Sequence, residues 1–268
     1  MATALPTQIK AVIFDMDGLL LDSERLYTQV TNEVLAPYNK QLTWEIKAML
    51  MGRPSEESAR ILIERTGIPL GPDELISMFA TRQRTLFSTV QPMPGALKLV
   101  QHLQKSKIPI AIATGSSSTN YKLKSENLSE LFAAFEAKVV CGDDPELKRG
   151  KPHPDPFLLA AARHLGMKLE PDPITGFLEP PSADQLSSSS SSSEGALRPE
   201  QILVFEDGLA GVQAAKAAGM RSSGSPTQNS KTSSSVRMTN SLVSQPIRSW
   251  IPCSTGTGPI GLSLHFDS

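Results

Sequence analysis

The sequence predicts an α/β protein with a parallel sheet, helices on both faces of that sheet, and an all-helical segment inserted after the first strand. Four short apolar runs are spaced along the chain, and continuous apolar runs are typical of strands covered on both faces. Helical patterns separate most of them, which favours parallel pairing. The stretch from Asp22 to about Gln91 has helical periodicity and no convincing strand.

Each element can be placed in chain order. The predicted strands are Lys10 to Phe14, Pro109 to Ala113, Ala137 to Cys141 and Gln201 to Phe205. The predicted core helices are Pro94 to Gln104, Asp155 to Leu165 and Leu209 to Ala218, the last ending at Gly219. In the inserted stretch, inward-facing residues at helical spacing are Leu26, Val30 and Val34, then Leu75, Phe79 and Leu86.

Composition limits the classes of partner. The 268 residues contain 26 Lys and Arg against 27 Asp and Glu, a net charge of −1, so the chain has no overall field for nucleic acid or an anionic membrane. Two cysteines do not make a disulfide framework. We find no signal peptide and no apolar run of about 20 residues. We therefore expect a cytoplasmic monomer, with the nucleus left open, that binds neither nucleic acid nor membrane.

Two segments differ from the rest in composition. Residues from about 169 to 199 include the serine run Ser187 to Ser193, and residues 221–268 are rich in Ser, Thr, Gly and Pro. We expect both to be largely disordered. An exception is Ile260 to Phe266, which alternates as a half-buried strand does. The remaining pattern divides into a core of residues 9–21 and 92–220 and a helical insert of residues 22–91.

Polar side chains follow every predicted strand. These groups are Asp15-Met16-Asp17-Gly18, Thr114-Gly115-Ser116, Lys151-Pro152 and Glu206-Asp207. The carboxyl ends of parallel strands meet at one edge of a sheet, so we expect these groups to lie together. Clustered carboxylates repel one another unless a cation is present, and Mg²⁺ prefers oxygen ligands. A hydroxyl and an ammonium group would then hold phosphate oxygens.

In this order the four motifs resemble those of the haloacid dehalogenase-like hydrolase superfamily, over about Ile9 to Met220. The stretch from Gly142 to Asp155 and the helical insert look most similar to the pseudouridine-5′-phosphatase-like branch, where such an insert forms a cap over the site. The resemblance implies a Mg²⁺-dependent hydrolase of a small sugar, nucleoside or polyol phosphate. Within the superfamily, the second aspartate, Asp17, is typical of phosphatases and phosphomutases rather than dehalogenases.

The resemblance also implies a role for each residue. Asp15 would be the nucleophile that forms an aspartyl-phosphate, and Asp17 the general acid and base. The implied Mg²⁺ ligands are Asp15, the Asp17 carbonyl and Asp207, with Glu206 either a ligand or a group that orients one. The implied phosphate-binding residues are Gly18, Thr114, Gly115, Ser116 and Lys151. In the cap, Arg53 would contact the substrate.

Several alternatives remain open. Thr114 could instead cap the following helix, in competition with Ser116 and Ser117. A receiver-type signalling domain also combines acidic residues, a hydroxyl and a lysine on a parallel sheet, but its motifs occur in another order. After Met220 the superfamily pattern requires a further apolar strand, and the sequence has Arg221-Ser222-Ser223 instead. That departure predicts a missing last strand and favours, as an alternative, a weak or inactive variant that acts as a binding protein.

Overall fold

The computed structural model describes residues 8–50, 55–169, 171–181, 197–223, 236–239 and 264–267. The strands are β1 (Ala11–Phe14), β2 (Ile110–Ala113), β3 (Val139–Val140), β4 (Ile202–Phe205), β5 (Arg221–Ser223), β6 (Val236–Thr239) and β7 (Leu264–Asp267). The helices are α1 (Ser23–Leu35), α2 (Trp44–Leu50), α3 (Ser55–Thr66), α4 (Pro72–Phe87), α5 (Ala96–Lys105), α6 (Ser118–Ser125), α7 (Ser129–Phe132), α8 (Asp155–His164) and α9 (Leu209–Ala217). Short 3-10 turns are Ala36–Tyr38, Ala133–Phe135 and Pro199–Gln201.

The main sheet has five parallel strands in the order β3-β2-β1-β4-β5. Strand β1 lies at the centre, and its four residues are buried. Residues Val12 and Phe14 join a core with α5 and α7 on one face, whereas Ala11 and Ile13 join a core with α8 and α9 on the other. Because successive side chains point to opposite faces, an uninterrupted apolar strand fills both cores. The predicted α/β fold, with a Rossmann-like parallel sheet, is confirmed.

Helices α1 to α4 occupy the inserted stretch and form a hydrophobic cluster of their own, around Val34, Leu62 and Leu75. The chain enters and leaves this stretch through two segments that are tied to each other. The Asp22 amide donates to the Gln91 carbonyl at 2.9 Å, and the Met93 amide donates to the Leu20 carbonyl at 2.9 Å. The insert is therefore joined to the sheet at one place, beside the end of β1.

The prediction of a missing last strand is wrong. Residues Arg221 to Ser223 form β5 and pair in parallel with β4, with Leu203 opposite Arg221 and Phe205 opposite Ser223. Parallel pairing uses backbone groups, and a strand at the edge of a sheet needs fewer apolar side chains than a central one. The core therefore extends to Ser223 rather than ending at Met220. The Ser223 carbonyl also accepts from the Glu206 amide at 3.2 Å.

Of the predicted strand Ile260 to Phe266, residues 264–266 belong to β7, Leu264–Asp267, and residues 260–263 lie outside the described residues. Strand β7 pairs in parallel with β6, Val236–Thr239, in a second sheet of two strands. The serine run Ser187 to Ser193 and most of residues 224–263 lie outside the described residues. None of the described helices is long and apolar enough to cross a membrane.

Candidate active site

The polar groups that follow β1, β2 and β4 lie at the same edge of the sheet, because these strands are parallel neighbours. Asp15 follows β1 directly, and its amide donates to the Phe205 carbonyl of β4 at 2.9 Å. The Asp15 residue is 6% exposed. The sheet thus fixes the backbone of Asp15 and leaves a carboxylate in a largely buried place.

Lys151 joins Asp15 to Glu206. Its ammonium Nζ lies 2.5 Å from Asp15 Oδ1 and 2.7 Å from Glu206 Oε1. Burial alone disfavours the charged ammonium, but the two carboxylates outweigh that effect and raise the pKa of Lys151. The Lys151 side chain therefore remains positively charged beside Asp15, the residue that follows β1.

The Asp15 carboxyl experiences opposing influences. Burial has the largest effect and raises its pKa, and the ion pair with Lys151 lowers it. Repulsion from the neighbouring carboxylates, led by Glu206, raises it further, so the net pKa lies well above the ordinary value. One lysine does not balance the negative charge at this edge.

Both carboxylate oxygens of Glu206 are engaged. Oε1 accepts from Lys151, and Oε2 accepts from the Gly208 amide at 2.7 Å. A Cβ at Gly211 would lie 1.7 Å from Glu206 Oε1, so glycine is required there to make room for the glutamate. The Glu206 carboxylate therefore lies between Lys151 and the Gly208 amide.

Asp17 lies in a separate cluster of donors. Ser23 Oγ donates to Asp17 Oδ1 at 2.6 Å, and Ser116 Oγ donates to Oδ2 at 2.7 Å. Lys124 Nζ donates to Oδ1 at 2.5 Å. Burial alone would raise the pKa of Asp17, but the charge and hydrogen bond of Lys124, with the two serines, lower it. These donors therefore stabilise the charged form of Asp17.

Sequence reasoning missed Lys124, together with Ser23 and Tyr27. The Lys124 side chain is 0% exposed, although it lies on α6 and the described residues of that helix are otherwise exposed or half-buried. Its position three residues after Tyr121, which packs on the core, was the available signal. A lysine in a helix is ordinarily solvated, so that signal is weak.

Gly18 brings the backbone of the β1 turn close to Asp207. Its φ is +79°, and a Cβ there would lie 2.2 Å from Asp207 Oδ2. Burial, followed by repulsion from Glu206 and Glu24, raises the pKa of Asp207 to about 7. The carboxylate of Asp207 therefore lies beside the Asp17-Gly18 backbone in a region short of positive charge.

The oxygen donors at this edge of the sheet fit Mg²⁺, which needs few protein side chains, better than a metal ion that is bound entirely by side chains. Within the described ranges, no group of three or more His, Cys, Asp or Glu side chains is arranged to hold a metal ion. Mg²⁺ commonly uses only one or two carboxylates and completes its shell with water and substrate phosphate. Asp15, the Asp17 carbonyl and Asp207 match that need.

A family model described as haloacid dehalogenase-like hydrolase matches residues 9–219. The chain belongs to this family. It is 41% identical over 220 residues to (DL)-glycerol-3-phosphatase 2 of Arabidopsis thaliana, covering 81% of this chain and 80% of the relative. It is 37% identical over 221 residues to the probable pseudouridine-5′-phosphatase of Drosophila melanogaster, covering 82% and 83%. Both relatives are named as phosphatases.

Solved structures of the family share this fold. The crystal structure of a HAD family hydrolase from Deinococcus radiodurans, with bound phosphate and sodium, is 25% identical. It superposes with a TM-score of 0.58 and covers 81% of each chain. The match therefore spans most of both chains.

In this haloacid dehalogenase-like hydrolase, the loop after β2 lies beside the other motifs. The Thr114 hydroxyl oxygen accepts from the Ser116 amide at 3.1 Å, and Ser117, not Thr114, caps α6 by accepting from the Asn120 amide at 3.3 Å. A Cβ at Gly142 would lie 2.4 Å from the Gly115 carbonyl oxygen, so this loop packs closely on the one after β3. The Ser116 hydroxyl is directed to Asp17.

Two further placements complete the comparison with the sequence. Arg53, the expected substrate contact of the cap, lies outside the described residues. Part of the segment that precedes the serine run lies against the Lys151 loop: Arg149 stacks on Phe177 at 4.0 Å and donates to Glu179 at 3.0 Å. Arg149 also pairs with buried Asp155 at 2.7 Å. The described part of this segment therefore contacts the loop that carries Lys151.

Proposed function

We propose that the protein is a Mg²⁺-dependent phosphomonoesterase that uses Asp15 as its nucleophile and acts on a small phosphorylated metabolite. The observation that carries the proposal is the pair of aspartates at the end of β1 with different partners. Asp15 is bound by Lys151, and Asp17 is held by Lys124 and two serines. Two carboxylates with separate environments suit separate roles, one nucleophilic and one for proton transfer.

In the first step, an Asp15 carboxylate oxygen attacks phosphorus, and the bond from phosphorus to the ester oxygen breaks. Asp17, which must be protonated at this step, supplies the proton that the leaving alcohol needs. Lys151 offsets the negative charge that Asp15 and the phosphoryl oxygens bring together. The Thr114 hydroxyl would donate to one of those oxygens.

In the second step, water attacks the phosphorus of the aspartyl-phosphate. Asp17, now a carboxylate, accepts the proton of that water, and Asp15 leaves as a carboxylate with the release of inorganic phosphate. Mg²⁺, held by Asp15, the Asp17 carbonyl and Asp207, would supply positive charge that Lys151 alone does not provide. The helical insert beside Asp17 would exclude bulk water.

The names of the relatives support a sugar, polyol or nucleoside monophosphate as substrate. A phosphomutase would return the phosphoryl group to a sugar, so release of inorganic phosphate separates the two activities. The alternative of an inactive binding protein depends on the absence of a fifth strand. Since β5 is present and pairs with β4, the reason for that alternative no longer holds.

The test is a screen of the purified protein with Mg²⁺ against glycerol phosphate, pseudouridine 5′-phosphate and hexose phosphates. The Asp15→Asn protein is the matched blank, since the substitution keeps size and removes the nucleophile. We expect inorganic phosphate from at least one ester with wild-type protein and none above background with the variant. Equal release by both proteins, or no release from any ester by the wild type, would contradict the proposal.

A further inference from the structure

A buried lysine connects Asp17 to the helical insert. Lys124 Nζ donates to three oxygens: Asp17 Oδ1 at 2.5 Å, Ser116 Oγ at 2.9 Å and Tyr27 OH at 3.0 Å. These bonds use all three ammonium donors. The side chain is 0% exposed, so it makes no compensating contact with bulk water.

The surroundings of the ammonium come from both ends of the insert. Tyr27 lies on α1, and Phe87 is the last residue of α4. The ammonium lies 4.9 Å from the Tyr27 ring centroid and 4.5 Å from that of Phe87, distances typical of cation–π contacts. Since α6 itself follows the loop of Thr114, Lys124 is a point where the core and the insert meet.

The hydrogen bonds on Asp17 are divided unequally between its two oxygens. Oδ1 accepts from Lys124 and from Ser23 of α1, which accounts for both of its lone pairs. Oδ2 accepts from Ser116. One lone pair of Oδ2 therefore remains to take or give a proton.

We propose that Lys124 is a positioning residue that fixes Oδ1 of Asp17, so that Oδ2 transfers the proton in both steps of the reaction. This inference rests on the proposed function and specifies how one of its residues works. Two insert residues, Ser23 and Tyr27, complete the arrangement, and correct positioning of Asp17 therefore depends on the insert being in place. Lys124 acts through Asp17 and does not touch the reacting phosphorus.

Substrates with different leaving groups distinguish a positioning role of Lys124 from a merely structural one. A nitrophenolate leaves readily without a proton, whereas the alcohol of an alkyl phosphate needs one. Loss of Asp17 positioning should therefore spare the first step for p-nitrophenyl phosphate and slow it for glycerol phosphate. The second step is the same for both esters and should be slowed.

The experiment compares wild type with Lys124→Met in rapid-quench and stopped-flow measurements. We expect first-turnover nitrophenolate release to stay within about 3-fold of wild type, while phosphoenzyme formation from radiolabelled glycerol phosphate falls at least about 10-fold. Steady-state turnover of the nitrophenyl ester should also fall at least about 10-fold, after a burst equal to the enzyme concentration. Lys122→Met, an exposed lysine on the same helix, should leave all three rates unchanged.

A second variant covers the case in which Lys124→Met does not fold. Tyr27→Phe keeps the ring and removes only one acceptor of the ammonium. We expect phosphoenzyme formation from glycerol phosphate and steady-state turnover of the nitrophenyl ester each to fall about 3-fold, with first-turnover nitrophenolate release unchanged. Equal losses in all three rates, or no loss, in the folded variant would overturn the role of Lys124. An inactive wild-type protein would instead contradict the phosphatase proposal, so the two failures are distinguishable.

Discussion

At the scale of residues, the site depends on glycines as much as on charged side chains. Gly211 lies inside α9, where alanine would ordinarily favour the helix by about 1 kcal/mol. The space that a side chain at Gly211 would occupy is filled by Glu206, whose Oε1 binds Lys151. A glycine that looks like a helix defect therefore makes room for the glutamate that binds Lys151.

Gly211→Ala tests this support. The new Cβ would overlap Glu206 and displace it from Lys151, which outweighs the gain in helix propensity. We expect kcat/KM to fall at least about 10-fold and the free energy of unfolding to fall by about 1–3 kcal/mol. The matched control is Gly71→Ala, where no atom lies within 4 Å of the added Cβ. A Gly211→Ala protein with wild-type stability and activity would show that Glu206 is not held as described.

The sequence alone indicates which residues meet where strand order decides their place. Asp15 and Glu206 follow neighbouring strands, so parallel pairing alone brings them to one edge. Lys124 was missed because its burial depends on Tyr27 and Phe87, which are distant in sequence and on other helices. Likewise, the hydrogen bonds of Ser116 and Ser117 distinguish roles that the run Ser116-Ser117-Ser118 leaves open.

At the scale of elements, β5 shows what an apolar pattern does not report. Its residues Arg221, Ser222 and Ser223 are polar, yet they pair with β4, and the Ser223 carbonyl binds the Glu206 amide. Central strands are recognised by apolar side chains, because both of their faces are buried. An edge strand can be specified by backbone pairing, which leaves little trace in composition.

Two truncated proteins measure the contribution of β5. A chain that ends at Ser223 keeps the strand, and a chain that ends at Met220 lacks it. We expect the shorter chain to be less stable than the longer one by about 2–4 kcal/mol, because several backbone hydrogen bonds of β4 lose their partners. Urea denaturation of the two proteins gives this difference directly. Equal stabilities would mean that β5 does not support the sheet.

At the scale of the whole molecule, the sheet and the helical insert each supply part of one site. The sheet provides Asp15, Lys151 and Glu206, and the insert provides Ser23 and Tyr27 around Asp17. The nearly neutral chain thus carries a local excess of carboxylates that two lysines, Lys151 and Lys124, and a divalent cation would offset. The proposed nucleophile, Asp15, belongs to the core, and the hydrogen-bond partners of Asp17 come from both units.

The most direct test of this account is to trap the phosphorylated enzyme. Wild-type protein is mixed with Mg²⁺ and a radiolabelled phosphate ester that it hydrolyses, quenched with acid in the first turnovers, and digested for peptide mapping. The account predicts label on Asp15 and none in the Asp15→Asn protein. Label on another residue, or full turnover by Asp15→Asn, would contradict it.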